Sequence, residues 1–578
     1  MPQPWSRRNF LQSGIGTAAL TGMAGVAASE SEDDPIAGKR TEKELETSIA
    51  VIGGGLGGCA AALAALKAGF NVVLTEETDW LGGQVTSQAV PPDEHPWIES
   101  IANPSYAEFR KRIRDYYKRN YPLTHAALSD PFLNPGRGNV SKVCCEPRTA
   151  LAALEEMLAP YRANGQLRVL LEHVPVDAQT EGDEIRAVRL EDRANGGEKV
   201  IHATYFLDAT ELGDLLDLAK VEHVTGAESQ GQTGEKHAPE KAAPDNMQAI
   251  TWCFPVEYRH GEDHTINRPD RYDFWRNYVP PLSPPWPGRL LSKSYTHPIT
   301  LEPISRPIDP IREGKNEVSG FWRYRRIRYA GNYEPSFPGH DISLINWPMN
   351  DYMEGNLFNV SPEEKEEHIR DAKQLSLSLL YWLQTEAPHD DEKGQGWPGL
   401  RLCPEITGTE DGLAKAPYIR ESRRLVSKFT ITEAHVGTEM RMEITGLPKE
   451  EVKALPFGYS VGIGSYRIDL HPSTGGDNYI DISSLPFQIH LGSLIPVRVT
   501  NLLAACKNIG TTHITNGCYR LHPVEWNVGE AAGYLAAWCL KNGKNPHQVY
   551  HTEELREDYQ IRLKDENIPL SWPEFRPR

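Results

Sequence analysis

The chain has 578 residues, 39% apolar and 24% charged, the composition of a folded globular protein, which excludes wholesale disorder. Its formal net charge of −18 argues against a broad nucleic-acid face. No apolar run reaches the roughly 18 residues that a membrane span needs. The 48 glycines and 44 prolines have no repeating period and indicate many ordered loops.

The chain opens with Ser6-Arg7-Arg8-Asn9-Phe10-Leu11, a small-residue apolar run from Gly14 to Ala27, and a small-residue cleavage site at Val26-Ala27-Ala28. In that order these features read residues 1–28 as a twin-arginine signal peptide. The expected partner is the twin-arginine export machinery, and the expected location is periplasmic or extracellular. That route carries folded proteins, so it suits a chain that takes up a cofactor before export. Residues 29–46 are polar and charged and read as a spacer.

Thr47 to Ile52 is a β-branched, apolar run that predicts a buried strand. Gly53-Gly54-Gly55-Leu56-Gly57-Gly58 follows, then an Ala-rich helix ending at Gly69, then a strand from Asn71 to Thr75 closed by Glu76. This is a β-α-β unit carrying GxGxxG at Gly53, Gly55 and Gly58, with an acid 23 residues beyond Gly53. Gly53 permits the tight turn, Gly55 lets backbone approach a pyrophosphate, and Gly58 allows close helix–strand packing. The helix start offers free N–H groups and positive dipole to phosphates, and Glu76 suits ribose hydroxyls. The motif by itself does not separate FAD from NAD. Leu81-Gly82-Gly83-Gln84 supplies a further glycine turn, and residues 184–192 and 199–210 alternate like hairpin strands, the second ending in Asp208-Ala209-Thr210-Glu211.

From about residue 245 to 400, proline and aromatic residues crowd in, as in NYVPPLSPPWPGRLL and INWPMNDYMEGN. Such an insertion suits the substrate side of a cleft. Ser361-Pro362-Glu363-Glu364 is a capping box that opens a helix stopping before Pro388. Phe321 to Tyr329 alternates basic and aromatic residues and reads as a strand, with Trp322 and Tyr324 on one face and Arg323 and Arg325 on the other. A solvated strand face is expected there, and the same is expected of Arg420, Arg423 and Arg424. Eight cysteines lack any CxxC spacing, so no zinc site or redox dithiol is signalled, no metal is expected, and adjacent Cys144 and Cys145 read as two free thiols.

The runs VIGGGLGG…VVLTEETDWLGG, CCEPRTALAALEEML, FLDATELGDLLDLAKVEHVTG, YIRESRRLVSKFTITEAHV, GIGSYRIDLHPS and NLLAACKNIGTTHITNGCYRLHPVEWNVGEAAGYLAAWCL together resemble the FAD-dependent oxidoreductase family of the glutathione-reductase-like superfamily, over about residues 47–545. The resemblance implies an α/β fold: a Rossmann-like FAD-binding domain, discontinuous in sequence (47–240 and 485–545), around an inserted mixed α/β substrate region (241–484), with a C-terminal tail (546–578). It implies FAD as cofactor. Gly53, Gly55, Leu56, Gly57, Gly58, Glu76, Gly82, Gly83, Gln84, Asp208, Ala209, Thr210 and Asn508 would hold FAD. Gly529, Ala531, Ala532 and Gly533 would join them, in a helix opening at Gly529 and aimed at the pyrimidine edge. Two departures stand out. Glu211 replaces the glycine of a common Ala-Thr-Gly, and Cys506-Lys507 replaces a common Gly-Arg.

His471, His490, His513 and His522 cluster in the run that returns to the flavin. Hydride transfer to flavin N5 needs a base for the substrate proton, and histidine titrates near neutrality. His513 and His522 are the expected bases, with Arg520 as anion clamp or reduced-flavin stabiliser. The expected function is an exported FAD enzyme that moves hydride between flavin N5 and a small sugar, polyol, hydroxy acid or amino acid, with an unnamed electron acceptor. The alternatives are a lyase or isomerase using transient oxidation, and a non-catalytic FAD-containing binding protein.

Overall fold

Strand β1 (Glu44–Ile52) forms because its apolar and β-branched residues are buried from Ile49 to Ile52. A computed structural model describes residues 43–308, 310, 320–391 and 393–573. The signal peptide and nearly all of the spacer read above therefore lie outside the described residues. The chain turns at Gly53, whose φ of 102° only glycine adopts without strain, into helix α1 (Leu56–Lys67). It then enters strand β2 (Val72–Glu76). Helix α1 is buried from Leu56 to Leu66, so its alanines face protein on every side.

Helices α2 (Pro104–Asn120) and α3 (Pro147–Ala163) follow, each with proline in its first turn. Strands β3 (Leu167–Leu171), β4 (His173–Glu181), β5 (Glu184–Asp192) and β6 (Glu198–Asp208) extend the sheet, in the order β3-β2-β1-β6-β5-β4. The β3-β2-β1-β6 part is parallel, and β6-β5-β4 is the antiparallel hairpin extension that the alternation indicated.

The insertion has its own apolar core. A four-stranded antiparallel sheet is built from β7 (Phe254–Tyr258), β8 (Arg326–Arg328), β9 (Ile342–Ile345) and β10 (Leu400–Leu402), in the order β8-β9-β7-β10. Trp275, Trp286, Trp347, Trp382 and Trp397 are buried here, so the aromatic crowding serves packing. The expected strand over 321–329 is corrected: Phe321–Tyr324 is a short helix, α4, and only Arg326–Arg328 is strand. The reason is burial. Adjacent Phe321 and Trp322 both enter the core, which one helical turn allows and a strand does not. Helix α5 (Pro362–Thr385) carries the expected capping box.

The chain then returns to the first sheet. Strand β11 (Leu502–Ala504) pairs parallel with β6, setting Ile52, Asp208 and Ala504 side by side at the strands' carboxyl ends. Helices α6 (His513–Tyr519) and α7 (His522–Asn542) follow. The expected helix start at Gly529 is corrected to His522, where Pro523 sits in the first turn. Gly529 and Gly533 lie mid-helix, where a Cβ would run into the carbonyls of Gly57 and Ala61. They let α7 lie against α1. We expect Gly529→Val to destabilise the fold by about 1–3 kcal/mol or more through overpacking, read as a lower midpoint in urea. The residues expected to form a tail instead make α8 (Pro546–His551) and α9 (Glu553–Asp565), with Tyr559 and Leu563 buried and the Tyr559 hydroxyl donating to Ala531 O at 2.7 Å.

Candidate active site

The glycine turn between β1 and α1 is fixed from several sides. Gly53 N–H donates to Thr75 Oγ1 at 3.0 Å, and Gly54 N–H to Glu76 Oε2 at 3.1 Å. Gly82 N–H donates to Gly54 O at 2.8 Å, which lays the Leu81–Gln84 turn against the first one. A Cβ on Gly57 would run into Ala505 O, and one on Gly58 into Gly53 O. The strand-end aspartate, Asp208, is fully buried and accepts from Thr210 N–H, the Thr210 hydroxyl and Leu216 N–H at 3.0, 2.7 and 3.2 Å. Burial, only partly offset by these bonds, pushes its carboxyl up to about 7. Asn508 spans the two strand ends, donating to Asp208 O at 3.1 Å and accepting from Cys506 N–H at 3.3 Å. Asp208 and Asn508 thus shape the turn, with their side chains occupied by backbone.

Gly55 is the N-cap of α1, and no side chain caps the helix from that position. Three charged groups sit over this end. Gly57 N–H donates to Glu525 Oε1 at 3.2 Å, and Gln84 Nε2 donates to Glu525 Oε2 at 2.5 Å. Lys507 Nζ pairs with Glu211 Oε2 and lies 3.5 Å from Glu525 Oε2. A Cβ on Gly55 would stand 2.9 Å from Glu211 Oε1, an oxygen that is buried and has no hydrogen-bond partner. The helix start therefore takes an oxyanion in this structure, the Glu525 carboxylate. The Gly57 N–H end of the helix and the Lys507 ammonium beside it suit a diphosphate in charge and polarity. The position of Glu76, buried at the end of β2, suits ribose hydroxyls. Burial, reinforced by Glu77, pushes its carboxyl up to about 8. We expect Glu76→Ala to weaken FAD binding by about 1–3 kcal/mol, measured by flavin fluorescence titration.

A second cluster adjoins the first through Gln84, whose Nε2 also donates to Arg520 O at 3.1 Å. Arg520 donates to the Tyr418 hydroxyl at 3.0 Å and to Asp469 O at 2.9 Å. Its Nε is buried without a partner. Asp469 Oδ2 lies 3.8 Å from His471 Nε2. His471 Nδ1 contacts Asp351 Oδ2 at 2.6 Å, and Asp351 Oδ1 accepts from Arg420 at 2.9 Å. Arg420 lies over the Tyr418 ring at 5.0 Å, which closes the circuit. Arg325 and Asp93, 3.3 Å apart, flank it. His471 keeps 20% of its side-chain exposure while Asp351 has none, so an accessible imidazole is oriented by a buried carboxylate. Burial, helped by Arg420 and opposed by Asp351, lowers the His471 pKa. Asp351 is held below the usual carboxylate range: burial raises it, but Arg420 and His471 outweigh burial.

The expected bases fare differently. His522 has no exposure. Its Nδ1 accepts from Asp93 N–H at 3.1 Å, and its Nε2 faces Val90 O at 3.2 Å. Burial drives its pKa down to about 4. It is a strut that holds Asp93. His513 is nearly buried, with Nδ1 at 2.9 Å from Glu421 Oε1, inside a charge network with Arg424 and Glu228. Of the clustered histidines, His471, expected only as a member of the cluster, keeps more exposure than His513 or His522. Arg420, Arg423 and Arg424, expected on a solvated face, are buried against Asp351, Asp214 and Glu421. Cys144 and Cys145 are free and buried, and burial pushes the Cys144 thiol up to about 12.

A family model described as FAD dependent oxidoreductase matches residues 48–558. No curated protein matches. Among solved structures, a geranylgeranyl bacteriochlorophyll reductase-like protein from Thermoplasma acidophilum is 10% identical, covering 90% of this chain and 84% of its own, at a TM-score of 0.32. The flavin-dependent monooxygenase PieE, solved with FAD and substrate, is 15% identical over 37% of this chain and 35% of its own, at 0.23. L-proline dehydrogenase from P. horikoshii is 16% identical over 32% and 24%, at 0.16. The chain spans only 24% to 48% of the first four solved chains it matches.

Proposed function

Because the chain belongs to the FAD-dependent oxidoreductase family, matched from residue 48 to 558, we propose that it is an exported enzyme oxidising or reducing a small hydroxylated or amino substrate at a site lined by His471, Arg520, Tyr418 and Asp469. FAD, when bound, supplies the hydride acceptor or donor. The chain supplies the rest. The α1 start and Lys507 hold the phosphates, Glu76 holds ribose, and Gln84 ties that cradle to Arg520. His471 takes the substrate's hydroxyl or amine proton at Nε2, while Asp351 fixes the tautomer and steadies the charged ring.

The observation that carries this reading is the His471–Asp351 dyad. It adjoins the polar network of the α1 start: Asp469 Oδ2 lies 3.8 Å from His471 Nε2, and hydrogen bonds run from Asp469 O through Arg520, Gln84 and Glu525 to Gly57 N–H. Export rests on the Arg7-Arg8 leader; changing both to lysine is expected to keep the protein inside the cell.

The test is anaerobic mixing of the flavin-loaded protein with sugars, polyols, hydroxy acids and amino acids. Lasting bleaching of the flavin band by one class supports the proposal. Turnover without bleaching or acceptor supports a lyase or isomerase. Binding without turnover of any compound supports a non-catalytic role.

A further inference from the structure

The charged groups over the start of α1 do more than accommodate a cofactor. Lys507 and Glu525 are almost wholly buried, and Glu211 keeps 12% of its side-chain exposure. Two carboxylates around one ammonium leave the group a negative charge in excess. A diphosphate adds two more charges at the same helix end. Three anions cannot share one ammonium and one set of backbone donors in a low-dielectric site without strong repulsion.

Glu525 is the carboxylate that occupies the backbone donor, through Gly57 N–H. It also lies in the first turn of α7, whose own amino end favours a negative charge. Glu525 is therefore the carboxylate that must give up its donor when a diphosphate arrives. Glu211 pairs with Lys507, and its other oxygen has no hydrogen-bond partner.

We infer that Lys507 and Glu525 form an anion-exchange site: Lys507 is the charged partner of the FAD diphosphate, and Glu525 is the internal anion that the diphosphate displaces. This rests on FAD binding at α1. The groups facing Glu525 are Lys507 and Cys506 from the loop after β11, Glu211 from the loop after β6, Gln84 from the turn after β2 and Cys59 from α1. Burial raises the Glu525 carboxyl and Lys507, 3.5 Å away, holds it down against burial, so a diphosphate that takes Lys507 for itself lets the carboxyl rise further and take up a proton. The one bond made is the O–H of Glu525, whose proton comes from solvent, and the diphosphate remains fully ionised.

The test is titration of the full-length apoprotein with FAD, followed by quenching of flavin fluorescence, at about pH 6 and about pH 8.5. The parent's Kd is expected to rise at least about tenfold between these values, because the displaced carboxylate no longer gains a proton. Glu525→Gln keeps an acceptor for Gly57 N–H and removes the charge. It is expected to bind FAD about tenfold more tightly than the parent at the higher pH and to lose most of the pH dependence. Lys507→Met is expected to weaken binding at least about tenfold, with recovery in Lys507→Arg. A parent affinity that ignores pH, or a Glu525→Gln variant that binds FAD no more tightly, overturns the proposal. A parent that takes up no FAD at either pH overturns the FAD site itself.

Discussion

Gly55→Val is expected to give a folded protein that has lost its flavin. The substitution is selective because of where each glycine of the turn points. Gly53 has a left-handed φ, and Cβ atoms on Gly57 and Gly58 would run into backbone carbonyls, so changes there damage the fold itself. Gly55 has φ −58° and ψ −176°, which any residue adopts. Its Cβ would meet only the tip of the Glu211 side chain at 2.9 Å, with other atoms at 3.7 Å. An isopropyl group there leaves the β1–α1 turn intact and fills the space that phosphate oxygens need beside Leu56 and Gly57. Losing two charge-assisted hydrogen bonds at about 1.5–3 kcal/mol each predicts weakening by about 3–6 kcal/mol. The check is flavin content after purification, beside an unchanged circular dichroism spectrum.

The second large effect concerns the base. His471→Asn is expected to slow flavin reduction by the active substrate class about 10²–10⁴-fold, with flavin content unchanged. The pH profile separates this from a structural effect. The base must be neutral to accept a proton, and burial with Arg420 places its pKa below the ordinary 6.5. In the parent, reduction should stay level from pH 8 down through 6.5 and fall only under more acid conditions, as His471 becomes protonated. The variant should lack that acid limb, whereas His513→Gln should retain it.

Much of the cofactor half was legible because its signals are local. A β-branched run, a glycine turn, an alanine-rich helix and an acid at fixed spacing lie between Thr47 and Glu76, and each is set by backbone sterics or helix-end polarity. The hairpin at 184–208 and the capping box at Ser361 were readable for the same reason. The helix start at His522 is signalled by Pro523, but the small residues from Gly529 to Gly533 mimic a second start. They proved to be the contact with α1.

The reaction cluster was not legible. Asp351, Tyr418, Arg420, His471 and Arg520 come from separate stretches, and His471 reaches Asp351 across 120 residues. A histidine's fitness as a base depends on what orients one nitrogen and what leaves the other open, and neither is written beside it. The departures at Glu211 and Lys507 were visible in sequence, but only the fold shows that they answer each other across the α1 start.

The account depends on a diphosphate-bearing flavin seated where α1 begins. The most direct measurement is the visible absorption spectrum of the purified protein, before and after incubation with FAD and gel filtration. The expected result is a bound flavin band in stoichiometric amount in the parent and its loss in Gly55→Val. A parent that stays colourless after FAD treatment, or a Gly55→Val protein as yellow as the parent, would contradict it.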